Sequence, residues 1–137
     1  MPYTITENTR IAKNTWRMAL AGDTSKLQSP GQFVQFKAPG FYLRRPLSVC
    51  DWDRQRLILV YKVIGNGTEA MTRMRKGEIA DLLTGLGNGF TVKPCKPLLI
   101  GGGCGVAPLY RLCKDFIRQG IRPAVVLGFN AKDEVFY

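Results

Sequence analysis

The run Pro97-Leu98-Leu99-Ile100-Gly101-Gly102-Gly103-Cys104-Gly105-Val106-Ala107-Pro108 constrains this chain more than any other stretch. A short apolar strand leads directly into a glycine loop, and the loop opens a helix predicted from Val106 to Gln119. Leu109, Leu112, Cys113 and Phe116 share one face of that helix, Lys114 and Arg118 lie off it, and Gly120 ends it. Ala124-Val125-Val126-Leu127-Gly128-Phe129 reads as a second apolar strand. Strand, helix and strand in that order make one βαβ unit of a parallel sheet. Parallel sheets are normally covered on both faces. Residues 96–137 are therefore not expected to stand as an independent unit: either the polypeptide continues into a larger α/β domain, or another chain completes the sheet. Asp133 is expected to cap a further helix starting at Glu134.

Before Lys96 the pattern is different. Tyr3 to Ala12, Thr15 to Leu20, Gln32 to Lys37, Pro46 to Trp52, Arg56 to Ile64 and Glu78 to Leu83 read as short strands. Turn signals at Lys13-Asn14, Ser29-Pro30-Gly31 and Pro39-Gly40, and the polar Asp53-Arg54-Gln55, separate several of them. Such spacing predicts an antiparallel barrel or sandwich over residues 1–95. One helix interrupts it, with Thr68 as its expected N-cap, Ala70, Met71 and Met74 at helical spacing, and Gly77 at its end. Gly85-Leu86-Gly87-Asn88-Gly89 is expected to form a flexible turn.

Histidine is absent from the 137 residues, which excludes Ser-His-Asp hydrolysis. Chemistry carried by a bound cofactor needs no such residue. The net charge of +10 suits anionic cofactors or an acidic partner. Basic residues are spread along the chain, and no nucleic-acid-binding signature accompanies them, so no nucleic-acid partner is expected. Cys50, Cys95, Cys104 and Cys113 include no Cys-x-x-Cys pair, so no metal site is expected. Cys50 and Cys113 read as buried apolar residues. No apolar run approaches the ~20 residues of a membrane helix, and no signal peptide is evident. A cytoplasmic protein without membrane contact is the expectation.

Two motifs carry chemistry. Gly103 and Gly105 would allow a nucleotide pyrophosphate close to free backbone N–H groups, and Pro108 fits the first helical turn without losing a donor. The pattern is Gly-x-Gly-x-x-Pro, and no acidic ribose partner is evident about twenty residues on. Taken alone, the loop serves equally well as a tight strand-to-helix turn. Arg45-Pro46-Leu47-Ser48 puts a planar phosphate clamp and a hydroxyl on one extended stretch. Taken alone, it could be a surface arginine and an ordinary strand serine.

In this order the two motifs resemble the ferredoxin–NADP reductase superfamily. Leu43-Arg44-Arg45-Pro46-Leu47-Ser48-Val49, Gly65-Asn66-Gly67-Thr68, Leu86-Gly87-Asn88-Gly89-Phe90 and Gly101 to Tyr110 together resemble the electron-transfer subunit of type B dihydroorotate dehydrogenase. The resemblance implies an antiparallel Greek-key FAD-binding barrel at 1–95, followed by the first βαβ of a Rossmann-like NAD domain at 96–137. It implies that Arg45, Pro46, Leu47 and Ser48 hold FAD, with Tyr61, Lys62, Val63, Gly67 and Thr68 lining the rest. NADH would dock near Gly103 and Gly105 as electron donor. In the family, electrons pass through a [2Fe–2S] cluster to FMN in the dihydroorotate-oxidising catalytic subunit of pyrimidine biosynthesis. The cluster cysteines of that family have no counterpart here. The reductase subunit of another flavin complex (hydrogenase, sulfide dehydrogenase or transhydrogenase type) and a non-catalytic flavin-binding fragment remain open.

Overall fold

The computed structural model of the chain describes residues 1–93 and 96–137; Cys95 lies outside the described residues. The elements are β1 (Pro2–Ala12), β2 (Thr15–Ala21), β3 (Phe33–Phe36), β4 (Arg45–Trp52), β5 (Arg56–Lys62), α1 (Asn66–Thr72), β6 (Ile79–Leu86), β7 (Leu98–Gly102), α2 (Ala107–Arg118) and β8 (Ala124–Gly128). The first six strands close an antiparallel barrel in the order β1-β2-β5-β4-β3-β6. β3, β4 and β5 form a meander, and β2 and β6 return to flank it, which is the Greek-key arrangement.

Side-chain alternation explains why β5 reads as one apolar run. Leu57, Leu59 and Tyr61 enter the barrel core with Met18, Leu20, Val34, Phe36 and Leu82. Ile58 and Val60 face outward into a second cluster with Ala19, Cys50, Val106, Ala107 and Phe136. A strand covered on both faces has no reason to alternate polar and apolar residues. The second cluster is the seam that joins the barrel to the α/β unit.

Charge reinforces the seam. Asp51 on β4 is buried and receives Arg111 at 3.3 Å and Lys114 at 2.5 Å from α2. Arg111 also lies over the Trp52 ring at 3.9 Å and donates to the Trp52 carbonyl. Across the seam, Lys62 meets Glu134 at 3.2 Å and Lys13 meets Asp133 at 3.6 Å.

β7 and β8 run parallel, from Leu98↔Ala124 to Gly102↔Gly128. Leu109, Leu112 and Phe116 of α2 bury Leu99. Leu98, Ile100, Val125 and Val126 are exposed, as expected for a lone βαβ unit. No helix among the described residues is long and apolar enough to cross a membrane.

Several boundaries differ from the sequence reading. β6 continues through Leu86, because Gly85 (φ +71°) lets the strand pass within 2.6 Å of the Lys26 carbonyl, measured from an added Cβ. α1 ends at Thr72, and Gly77 (φ +92°) serves instead in the turn to β6, donating to the Ile5 carbonyl at 2.8 Å. Lys132–Glu134 forms a 3₁₀ turn after Ala131, not a helix capped by Asp133. Asp133 is instead drawn to Lys13, whose N–H donates to the Asp133 carbonyl at 2.8 Å. Cys50 is buried, while Cys113 is half-buried.

Candidate functional site

β4 and β5 pair only as far as Val49↔Leu59. Beyond that point each turns to its other neighbour. Arg45 to Ser48 pair with Phe36 to Phe33 of β3, while Val60, Tyr61 and Lys62 pair with Arg17, Trp16 and Thr15 of β2. The two strands therefore splay and leave a wedge between them. Across its mouth lie the Ile64–Thr68 turn and, from the α/β unit, Cys104. The result is a cleft of about 420 Å³, within the range of small-molecule sites.

Arg45, Pro46, Leu47, Ser48, Tyr61, Lys62, Gly67 and Thr68 line this cleft. Val63 packs against the barrel core, outside the lining. Gly103 borders a small adjoining cavity with Lys62, Cys104 and Glu134, and Gly105 stands in open space. Alternation sets what each residue presents. Leu47, Val49 and Tyr61 turn inward, so Pro46, Ser48, Val60 and Lys62 face outward into the cleft. Tyr61 buries its ring and donates its hydroxyl to Asn8 Oδ1 at 3.0 Å. Burial raises the Tyr61 pKa above its ordinary value, so it remains a phenol.

Adjacent arginines have separate roles. Arg44 points to the barrel edge, 2.6 Å from Asp81. Arg45 points the other way: Nη1 donates to the Leu43 carbonyl at 2.6 Å, and the guanidinium lies over the Phe41 ring at 5.0 Å. It also lies flat against Gly67, where an added Cβ would come within 2.4 Å of Nε and 2.5 Å of Nη2. No carboxylate among the described residues pairs with it. A fixed, uncompensated guanidinium at the mouth of an apolar cleft suits an anionic ligand.

The opposite rim is built by α1. Its N-cap is Gly65, not Thr68, which stands in the first turn. The Thr68 hydroxyl accepts from the N–H groups of Ile64 at 3.0 Å and Gly65 at 3.2 Å, and donates to the Gly65 carbonyl at 3.0 Å. It thus braces the turn that holds Gly67 against Arg45. Asn8 fixes the other end of α1 by donating to the carbonyls of Met71 at 2.8 Å and Met74 at 3.0 Å.

The glycine loop forms a 3₁₀ turn at Gly103–Val106 before α2 begins. Gly101 is the packing glycine there: an added Cβ would meet Leu109 at 2.7 Å and the Gly105 carbonyl at 3.1 Å. Gly103 has φ +53°, and a Cβ added there would meet nothing within 4 Å, so the turn is open to approach. Sequence reasoning missed Val60, Ile64, Gly65, Asn66 and Cys104 as lining residues, and Phe41 as the support of Arg45. Only the turn motif and the glycine loop carried any signal for them. Cys50, Cys104 and Cys113 are free thiols, and among the described residues no cluster of His, Cys, Asp or Glu is arranged to hold a metal.

The splayed strands, the neutral apolar floor and the uncompensated Arg45 fit a flavin nucleotide, an aromatic ring joined to an anionic pyrophosphate. No family model matches the chain. The chain is 42% identical over 144 residues to the dihydroorotate dehydrogenase B (NAD(+)) electron transfer subunit of Fusobacterium nucleatum, covering 98% of this chain and 56% of that protein. It is 42% identical over 137 residues to the same subunit of Bacillus mycoides, covering 93% of this chain and 53% of that one. The chain therefore spans about half the length of these relatives. Among solved structures, the NADH-dependent reduced ferredoxin-NADP oxidoreductase superposes with TM-score 0.88 at 29% identity, over 98% of this chain and 51% of its own. Amycolatopsis cytochrome P450 reductase GcoB superposes at 0.85 with 23% identity over 99% of this chain and 45% of its own, a likeness of fold alone.

Proposed function

We propose, from the homology of this chain to the electron-transfer subunits of type B dihydroorotate dehydrogenase, that it is the FAD-binding part of such a subunit. FAD would supply the redox chemistry, accepting a hydride from NADH and releasing electrons onward. The observation that carries this reading is the wedge between β4 and β5 with Arg45 fixed at its mouth.

Each residue has a task in that scheme. Arg45 clamps the pyrophosphate, and Gly67 gives its guanidinium room. Ser48 presents its hydroxyl to the reactive edge of the ring from the outer face of β4. Val60 would offer the ring an apolar surface, with the backbone of Tyr61, Lys62 and Val63 bordering that part of the site. Thr68 takes up the Ile64 and Gly65 N–H groups and so braces the turn that would hold Gly67 and Arg45 beside the phosphates. The open turn at Gly103 and Gly105 receives the nicotinamide nucleotide, and Cys104 brings that turn to the cleft wall. Residues 1–95 would form the FAD domain and 96–137 the start of the NAD domain.

In the relatives' full-length assembly, electrons would travel through a [2Fe–2S] cluster to an FMN-containing catalytic subunit that oxidises dihydroorotate. A second acceptor deserves a test, because the ferredoxin-NADP oxidoreductase also shares 29% identity. The deciding experiment incubates the protein with FAD, desalts it, records the visible spectrum and adds NADH without oxygen. A retained flavin band supports the site, and its bleaching supports the nicotinamide turn. No retained flavin refutes the reading. Co-purification with a dihydroorotate-oxidising or a different redox partner separates the two acceptors.

A further inference from the structure

Lys62 stands where the cleft meets the α/β unit. Its side chain leaves β5 on the outward face, next to Val60, and Nζ reaches Glu134 Oε1 at 3.2 Å. Both side chains are well shielded, at 27% and 17% exposure. Lys62 lines the main cleft and, with Glu134, Gly103 and Cys104, the small cavity behind it. The ion pair therefore closes the gap between the proposed ring site and the glycine turn.

The two cations that line the cleft are thus unequal. Arg45 meets no carboxylate among the described residues, while Lys62 is matched by one. An isolated Lys62 would project a full positive charge into the ring end of the cleft. Paired with Glu134, it projects only a dipole, whose field decays faster with distance. An isoalloxazine that takes up two electrons and one proton gains negative charge, so a net cation beside it favours the reduced form. Charge near the ring is one of the means by which a protein tunes a flavin.

We propose that Glu134 cancels the charge of Lys62 and so sets the reduction potential of a flavin in this cleft. It is a positioning residue that acts through Lys62. The cancellation also leaves Arg45 as the uncompensated cation of the lining, which directs the anionic part of the ligand toward α1 and the neutral ring toward Ser48. This inference rests on the flavin reading given above.

The test uses the full chain loaded with FAD, with midpoint potentials measured during slow enzymatic reduction against a reference dye. FAD affinity is read in parallel from flavin fluorescence. E134Q leaves Lys62 unmatched and should shift the potential upward. K62Q leaves Glu134 unmatched and should shift it downward. The double variant should return close to the native value. An E134Q potential that is unchanged or lower, or an E134Q shift that persists in the K62Q background, overturns the proposal. If E134Q loosens the seam, K62Q alone decides: no downward shift is equally fatal. Failure of the native chain to retain FAD overturns the flavin reading and this inference with it, whereas bound FAD of unaltered potential overturns only the role of Glu134.

Discussion

Substituting Gly67 by alanine separates a binding role from a structural one, because the two predict effects of different size. The new Cβ would come within 2.4 Å of Arg45 Nε, 2.5 Å of Nη2 and 2.7 Å of Cζ. No real Cβ tolerates such contacts, so the guanidinium must swing off the Gly67 backbone, disturbing its contacts with Phe41 and the Leu43 carbonyl. A charge-assisted hydrogen bond contributes about 1.5–3 kcal/mol. Losing the phosphate geometry of Arg45 should therefore weaken FAD binding roughly ten- to a hundred-fold. The unliganded fold responds differently. Alanine is favoured over glycine inside a helix by about 0.5–1 kcal/mol, which offsets the disturbed Arg45 contact. Urea denaturation of the FAD-free protein should thus move by no more than about 0.5 kcal/mol.

FAD titration followed by flavin fluorescence gives the affinity, and the same titration in an Arg45→Ala background completes the cycle. Arg45→Ala should itself cost a few kcal/mol if its pair with the phosphate is buried, roughly the range for truncated buried charge pairs. Gly67→Ala should then add nothing further, because the side chain it displaces is gone. Native affinity in Gly67→Ala, or an undiminished loss in the double variant, would refute the claim that Gly67 works through Arg45.

Two other outcomes follow from the thiols and the barrel edge. Cys104 is exposed and lines the cleft, whereas Cys50 is fully buried and its thiol is pushed up to about 11 by burial. Iodoacetamide at pH 8 should alkylate Cys104 and spare Cys50, and saturating FAD should slow the Cys104 reaction; mass spectrometry of the peptides decides, and equal labelling of both would count against the packing described. The Met1 amino group at 2.8 Å and Arg44 at 2.6 Å hold the Asp81 carboxyl below its usual 3.8. The folded chain therefore takes up that proton less readily than the unfolded chain. Its contribution is complete above about pH 4 and is lost as pH falls through the lower folded value. Asp81→Asn should lower the urea midpoint at pH 6 and make progressively less difference on acidification, with the gap narrowing in high salt because Asp81 is half exposed; a gap that does not narrow on acidification would rule this out.

What could be read from the chain and what could not divides along physical lines. Barrel strands were legible because Gly and Pro punctuate them, and the βαβ unit because glycine loop and helix periodicity are local signals. Thr68 was misplaced as an N-cap because Ser and Thr favour both the cap and the first turn. Only the conformation of Gly65 and the three hydrogen bonds of the Thr68 hydroxyl distinguish the two positions. Asp133 is not a helix cap because the chain forms a short 3₁₀ turn at Lys132–Glu134 with Asp133 inside it and Ala131 at its cap, and the Asp133 carbonyl accepts from the Lys13 N–H. Gly77 and Gly85 both read as breakers, yet each has a positive φ for a different reason: one reverses a turn, and the other admits a neighbouring backbone.

The cleft itself is a harder case, because what opens it is an absence of pairing. Nothing in Pro46-Leu47-Ser48 or Val60-Tyr61-Lys62 states that these segments should fail to meet, since each is a good strand with a good partner. The wedge arises because β4 is claimed by β3 and β5 by β2 on the far side of Val49↔Leu59, where a register shift between Val49 and Asp51 marks the change. A bulge of this kind increases local twist, and twist separates strands that each follow their outer neighbour. The motif Arg45-Pro46-Leu47-Ser48 is informative only because it occupies one edge of that opening. Pro46, which has no N–H to donate, sits where β4 has parted from β5 and is registered with Gln35 of β3, so it costs the β4–β5 ladder nothing. The same four residues on a fully paired strand would offer a ligand no entry, so the binding site belongs to the topology as much as to the motif.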